Sequence, residues 1–299
     1  MRPPALDQPR PFVTRTPFFY GWVILAVSGL AVFASGPGQT YNFSVFVDPI
    51  IEETGWTRTQ ITGWYAAGSL TAAVLIIGVG RLLDRFGARV VLTVVVVFLG
   101  LAAIWMSRVE SQLGLFLGFA AIRTLGQGSM TMVPTTLVSI WFVRARGRAT
   151  ALATLGGAVS AATFPILGHY LIEGHGWRTA WVVLAFVIWG VMLLPASVLV
   201  RRSPESVGLY PDGERSAAPA PQEQIQPPEE EVAFTLSDAM HTRAFWLLLI
   251  AGSSFSLIGT ALTFHNMALL TGKGLDAAVA AGVLSVMALS TMGGNLVSG

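Results

Sequence analysis

The chain has 299 residues, of which 53% are hydrophobic and only 11% charged, with a formal net charge of +2 and no cysteine. Soluble domains carry about 25% charged residues, so this deficit excludes an ordinary water-exposed surface and points to lipid as the solvent. Lack of cysteine excludes disulfides, thiolate metal sites and a cysteine nucleophile, while arginines scattered between apolar runs form no nucleic-acid-binding face.

A helix needs roughly 20 apolar residues to cross a hydrocarbon core of about 30 Å. In chain order, runs of that kind predict spans 1 to 7 at about 19–47, 60–80, 90–107, 113–142, 147–172, 177–200 and 244–271, and span 8 begins near Leu275. The expected fold class is an all-α polytopic membrane protein. Span 1 follows arginines and contains Ala34-Ser35-Gly36, which imitates a secretory cleavage site, but it is about twice the length of a signal's apolar core and reads as a retained helix.

Positive residues favour the cytoplasmic side of short loops. Arg2, Arg10 and Arg15 precede span 1; Arg81, Arg85 and Arg89 follow span 2; Arg144, Arg146 and Arg148 follow span 4; Arg201, Arg202, Arg215 and Arg243 follow span 6. The opposite loops hold Arg58, Arg108, Arg178 and Lys273 among at least as many acids, including Asp48, Glu52, Glu53, Glu110, Glu173 and Asp276. A cytoplasmic amino terminus in an inner or plasma membrane is the expectation.

Between Arg201 and Arg243 the stretch PAPQEQIQPPEEE, at 219–231, is too polar and proline-rich to bury a core and reads as a flexible linker. The expected organisation is a tail at 1–18, a six-span bundle at 19–200, the linker at 201–243 and the start of a second bundle at 244–299. A faint repeat agrees: aligning Trp22 with Trp246 also aligns Tyr41 with His265 and Asn42 with Asn266, and a shift of five then aligns Gly63 with Gly282 and Gly80 with Gly299. Two related halves are an arrangement that secondary transporters share.

The decapeptide GRLLDRFGAR at 80–89 places Gly80, Asp84, Arg85, Gly87 and Arg89 in a GxxxD(R/K)xG pattern. It resembles the motif between helices 2 and 3 of the major facilitator superfamily. Within that superfamily GQTYNFSVFVDPIIEETGWTRTQI at 38–61, RTLGQG at 123–128 and FPILGHYLIEGHGWR at 164–178 are similar to the oxalate/formate antiporter and monocarboxylate transporter branch. The resemblance covers nearly the whole chain except the linker. It implies alternating access between two helical halves and a small organic anion as solute, by antiport or proton symport. Complete members have twelve helices, so the chain is expected to be truncated or part of a longer product.

The resemblance implies that Asp84 holds a cytoplasmic gate closed against a helix amino terminus of the other half. A carboxylate there gains roughly 0.3 to 2 kcal/mol, enough to bias a gate without locking it. Arg85 and Arg89 could instead only fix topology and touch anionic lipid, and Gly80 could serve ordinary helix packing.

Arg123 lies roughly 15 Å into span 4 at 1.5 Å per residue. At that depth it costs about 2.5 kcal/mol or more unless it faces water or a partner. It lines a cavity and attracts an anion, or it is structural and satisfied by carbonyls and Gln127. Gln39, Tyr41 and Asn42 could hydrogen-bond a small polar solute or satisfy one another; His265 with Asn266 stands at the matching place in span 7, as a cavity residue or an interfacial one. In the resembling branch span 8 often carries an arginine for the substrate carboxylate; Asn295 stands there in this chain, a departure that weakens the monocarboxylate or oxalate assignment, and Arg123 could carry the charge instead.

No HExxH, GxSxG or GxxxxGK[ST] occurs, so neither an enzyme nor a cofactor is expected. The four histidines lack zinc-like spacing, so no metal is expected either. The expected partners are an organic anion, protons as a coupling ion and the lipid bilayer. Alternatives are carriage of a neutral or drug-like solute, and a membrane receptor that does not transport.

Overall fold

A computed structural model describes residues 18–213 and 236–276, with 278–280, 282–284, 286, 287 and 290 beyond them. The described residues contain no strand. Among the described residues, four helical stretches are long and apolar enough to cross a membrane: Gly21–Thr54, Arg58–Ser107, Arg146–Leu199 and Arg243–Thr271.

Two of these stretches each hold two spans. Gly87 (φ 77°, ψ 163°) and Gly176 (φ 78°, ψ 158°) interrupt the helices Arg58–Ser107 and Arg146–Leu194. Only a residue without a Cβ adopts that backbone cheaply, so each glycine is where the chain reverses. Spans 2 and 3 are therefore 58–86 and 88–107, and spans 5 and 6 start at 146 and 177. The decapeptide is helical up to Phe86, because arginine, leucine and aspartate all tolerate a helix and nothing breaks it earlier. A capping box of Thr57 with Gln60 starts span 2.

Span 1 packs along span 5 and on the second half of span 4, while span 2 packs on the first half of span 4. Lipid supplies no hydrophobic drive between helices, so close backbone approach and fixed polar contacts hold the bundle. A Cβ at Gly156 would lie 2.0 Å from the Gly29 carbonyl oxygen, and one at Gly100 would lie 2.2 Å from Trp189 Nε1. That indole donates to Val96 O at 3.2 Å, tying span 6 to span 3. Span 7 brings Phe264 against Phe43 and Tyr65, at ring centroid distances of 6.0 and 4.8 Å.

Side-chain clasps on backbone carbonyls fix both ends of the six-span bundle. At the arginine-rich end Arg89 Nε donates to Ser197 O at 2.6 Å and Tyr20 Oη to Leu199 O at 2.8 Å. At the opposite end Arg178 donates to Ser107 O and Val109 O, both at 3.0 Å, and to Glu53, which also accepts from Trp177 Nε1 at 2.6 Å. The first turn of span 3 thus holds the end of span 6, and the first turn of span 6 holds the end of span 3. Asp84 and Glu173, Gly87 and Gly176, Arg89 and Arg178 stand at one constant offset, the mark of an inverted three-helix repeat.

The stretch expected to be a flexible linker from 201 onward departs from that reading over 201–213. There Val207 is buried, Glu205–Val207 and Pro211–Gly213 form tight turns, and Asp212 accepts from the amides of Val143, Arg144 and Ala145 at 2.9 to 3.3 Å. Those amides open the first turn of span 5, where a carboxylate is favoured. Residues 214–235, with the PAPQEQIQPPEEE segment, and the tail at 1–17 lie outside the described residues.

Burial raises the Asp212 carboxyl, but the amides of Arg144, Ala145 and Val143 and the Arg144 charge outweigh it and hold the group below the usual aspartate range. A folded-state value below the unfolded one stabilises fully above the unfolded value of about 3.9, and the contribution is lost as pH falls through the folded value. Thermal melts across pH are expected to show lower midpoints in that acid range. Asp212→Asn lowers the midpoint at neutral pH and flattens that limb of the profile.

Candidate functional site

Two spans lose regular helical geometry at the same level of the bundle. In span 1, Gly36-Pro37-Gly38 forms a single tight turn, since Pro37 offers no N–H to continue the ladder, and Gln39 is extended (φ −90°, ψ 152°) before the helix resumes at Thr40–Phe43. In span 4 the helix Gln112–Ile122 widens to a π-helix at Arg123–Ser129 before returning to α geometry at Met130–Trp141. The irregular segments touch: a Cβ at Gly38 would lie 2.4 Å from Ile122 O, and one at Gly126 would lie 2.7 Å from Gly38 Cα. π-Bulges and broken helices recur at functional sites because they free backbone groups and re-aim side chains.

The side chain aimed from this crossing is Arg123. It is buried, with 9% of its surface exposed, and donates to Ser69 Oγ at 3.1 Å, Thr40 Oγ1 at 3.2 Å and Gly38 O at 3.5 Å. Its guanidinium lies 4.9 Å from the Tyr65 ring centroid, and the Tyr65 hydroxyl is 2.7 Å from Thr40 Oγ1. Every one of these partners is neutral. Among the described residues no carboxylate pairs with Arg123. Beside it lies a cavity of about 170 Å³ lined by Ser69, Ala72, Ala73, Ile76, Arg123, Gln127 and Gly128. The buried Gln127 Oε1 has no donor among the described residues.

A second cavity of about 170 Å³ is lined by Thr62, Tyr65, Leu257, Thr260, Ala261, Phe264 and His265. Tyr65 thus lines this second cavity while its ring lies under the Arg123 guanidinium. Among the described residues, no group of three or more histidines and acids could hold a metal.

The structure brings together Arg123 and Gln127 from the sequence-derived set, but as co-lining residues rather than hydrogen-bond partners. Gln39 Nε2 donates to Ser35 Oγ at 2.9 Å, and Tyr41 Oη donates to Ser160 Oγ at 2.8 Å, so both side chains are spent within the bundle. Asn42 is fully buried without a partner among the described residues. His265 lines the second cavity, whereas Asn266 donates to Ala280 O at 2.9 Å and ties span 7 to span 8. Asn295 lies outside the described residues.

Of the residues that complete the setting of Arg123, Thr40 lies in the stretch at 38–61 that carries the resemblance, whereas Tyr65 and Ser69 carried no motif. The usable signal for Tyr65 and Ser69 was their spacing, four apart and hence on one helical face.

The contact that the resemblance assigns to Asp84, with a helix amino terminus of the other half, is not met among the described residues. Asp84 is exposed with no hydrogen bond or ion pair there, Arg85 stacks on Phe86 at 5.3 Å, and Arg89 holds Ser197. A Cβ at Gly80 would meet nothing within 4 Å, so the close approach expected of it is not made within this bundle.

The family model of the Major Facilitator Superfamily matches residues 15–299. Monocarboxylate transporter 6 of Homo sapiens is 29% identical over 193 residues, 60% of this chain and 37% of that protein. Drug efflux pump JefA of Mycobacterium tuberculosis strain H37Rv is 29% identical over 205 residues, 64% of this chain and 39% of the pump. The probable sulfoacetate transporter SauU of Cupriavidus necator is 31% identical over 160 residues, 52% of this chain and 36% of its own. The matched regions span about two fifths of these relatives' length. The helical bundle, its inverted repeat and the family match over almost all of the sequence lead to one conclusion: the chain belongs to the Major Facilitator Superfamily.

Proposed function

We propose that the protein carries small organic anions across a membrane by alternating access, with Arg123 receiving the anionic end of the solute. The observation that supports this best is a guanidinium held among neutral groups beside a cavity. A buried charge without a counter-charge is expensive. A solute carboxylate or sulfonate would relieve that cost and accept charge-assisted hydrogen bonds. Gln127 Oε1, short of a donor, would take a solute hydroxyl.

Two relatives named for a monocarboxylate and for sulfoacetate support an anion. The drug efflux pump among the relatives, with the aromatic wall of Tyr65 and Phe264, favours a second reading in which the solute is drug-like. The arginine-rich end is proposed to face the cytoplasm, with the protein in the inner or plasma membrane.

Equilibrium binding to the protein in nanodiscs tests the proposal, comparing labelled L-lactate with its neutral amide lactamide. Lactate is expected to bind at least about tenfold more tightly, the value of one charge-assisted hydrogen bond. Equal binding of the two would overturn the anion reading.

A further inference from the structure

At the end of the bundle opposite the arginine-rich one, a groove of about 440 Å³ runs between the end of span 3 and the start of span 4. It lies apart from the Arg123 cavity and shares no residue with it. Leu101, Ile104 and Trp105 form its apolar floor, and Arg108 and Glu110 stand at its rim. Both rim residues are exposed, and among the described residues neither side chain has an ion-pair or hydrogen-bond partner. An opposite pair two residues apart that does not close on itself leaves one cationic and one anionic point free at the same site.

The surface leading to this rim is apolar and continuous. Val90, Val94, Phe98, Leu101 and Trp105 are all about half exposed and recur every three or four residues, so they form one stripe along span 3. From Trp105 back to Val94 the stripe is about 16 Å long at 1.5 Å per residue, close to half of a hydrocarbon core of about 30 Å and so to the depth of one leaflet. Trp105 ends it with its Nε1 donating to Gly114 O at 3.0 Å, which fixes an exposed indole at the level where tryptophan favours the membrane interface.

We propose that this groove binds one phospholipid with a zwitterionic, primary-ammonium headgroup, a phosphatidylethanolamine, in the leaflet that the 108–111 turn faces. Arg108 takes the phosphate, Glu110 takes the ammonium, and the part of the stripe from Trp105 to Val94 takes an acyl chain. The charge pattern decides among lipids. An anionic glycerol headgroup satisfies Arg108 but meets repulsion from Glu110, and a quaternary choline reaches Glu110 without an N–H to donate.

Native mass spectrometry of the purified protein titrated with POPE, POPC and POPG tests this, with gel filtration confirming that each variant remains folded. Wild type is expected to retain POPE about tenfold over POPC and POPG, the size of one charge-assisted hydrogen bond. Glu110→Gln brings POPE to the level of POPC and raises POPG, whereas Arg108→Ala lowers retention of all three. Glycerophosphoethanolamine, which has the headgroup without acyl chains, is expected not to compete. Equal retention of POPE and POPC by wild type, an unchanged ratio in Glu110→Gln, or full competition by the free headgroup would each overturn the assignment.

Discussion

Arg123→Ala is expected to weaken binding of a small carboxylate by about a hundredfold while leaving the protein folded. Two charge-assisted hydrogen bonds from one guanidinium contribute about 3 kcal/mol in a water-poor site, which is roughly that factor. Folding should survive because the lost partners are neutral: Thr40 keeps its contact with the Tyr65 hydroxyl, and a buried charge without a carboxylate partner is removed. A melting midpoint at or above that of wild type is the expected companion result.

Arg123→Lys should recover only part of the affinity. Lysine keeps the charge but loses the planar fork that reaches Ser69, Thr40 and Gly38 together and lies over Tyr65. Isothermal titration with L-lactate and differential scanning measurements separate the two effects. Lactate affinity unchanged in Arg123→Ala would remove the arginine from the solute site, whatever the melting midpoint.

Glycine substitutions give the second large effect, with opposite outcomes at sites that look alike in sequence. An alanine Cβ at Gly126 would lie 2.7 Å from Gly38 Cα and 3.1 Å from its nitrogen, and one at Gly156 would lie 2.0 Å from Gly29 O. These obstacles are backbone, so whole spans must move. Overpacking of this kind costs typically 1 to 3 kcal/mol and sometimes more, against a total stability of about 5 to 15.

Gly126→Ala and Gly156→Ala are therefore expected to lower the monodisperse yield severalfold and the melting midpoint by several degrees. Gly126→Ala should also weaken anion binding, because it displaces the segment that supplies Gly38 O and Thr40 to Arg123. Gly80→Ala is expected to leave folding intact or to raise stability by up to about 1 kcal/mol, since nothing lies within 4 Å and alanine is the better helix former. A Gly126→Ala protein as stable as Gly80→Ala would refute the crossing of spans 1 and 4.

The apolar runs made the spans legible because lipid forces every backbone polar group into helices and every lipid-facing side chain to be apolar. Gly87 and the decapeptide were visible for the same reason, as charge and glycine interrupting grease. The inverted repeat was also present in the letters, in the constant offset that links Asp84, Gly87 and Arg89 to Glu173, Gly176 and Arg178, yet it acquires meaning only once Arg89 and Arg178 are seen holding opposite ends of spans 6 and 3.

The polar residues divide differently. Arg123 was identifiable from depth alone, because a charge in the middle of a span demands an explanation anywhere in the fold. Its partners were not, since Thr40, Ser69 and Tyr65 are common residues whose role depends on which faces meet. Tyr41 and Asn266 looked equally available, but one is spent on Ser160 and the other on Ala280.

By itself, then, the sequence determined the solvent, the order of the described spans and the one charge that lipid would not tolerate unaided. The tertiary structure alone decided which neighbours surround that charge, because helix rotation and the glycine-permitted approach of two broken segments are set by packing between distant parts of the chain.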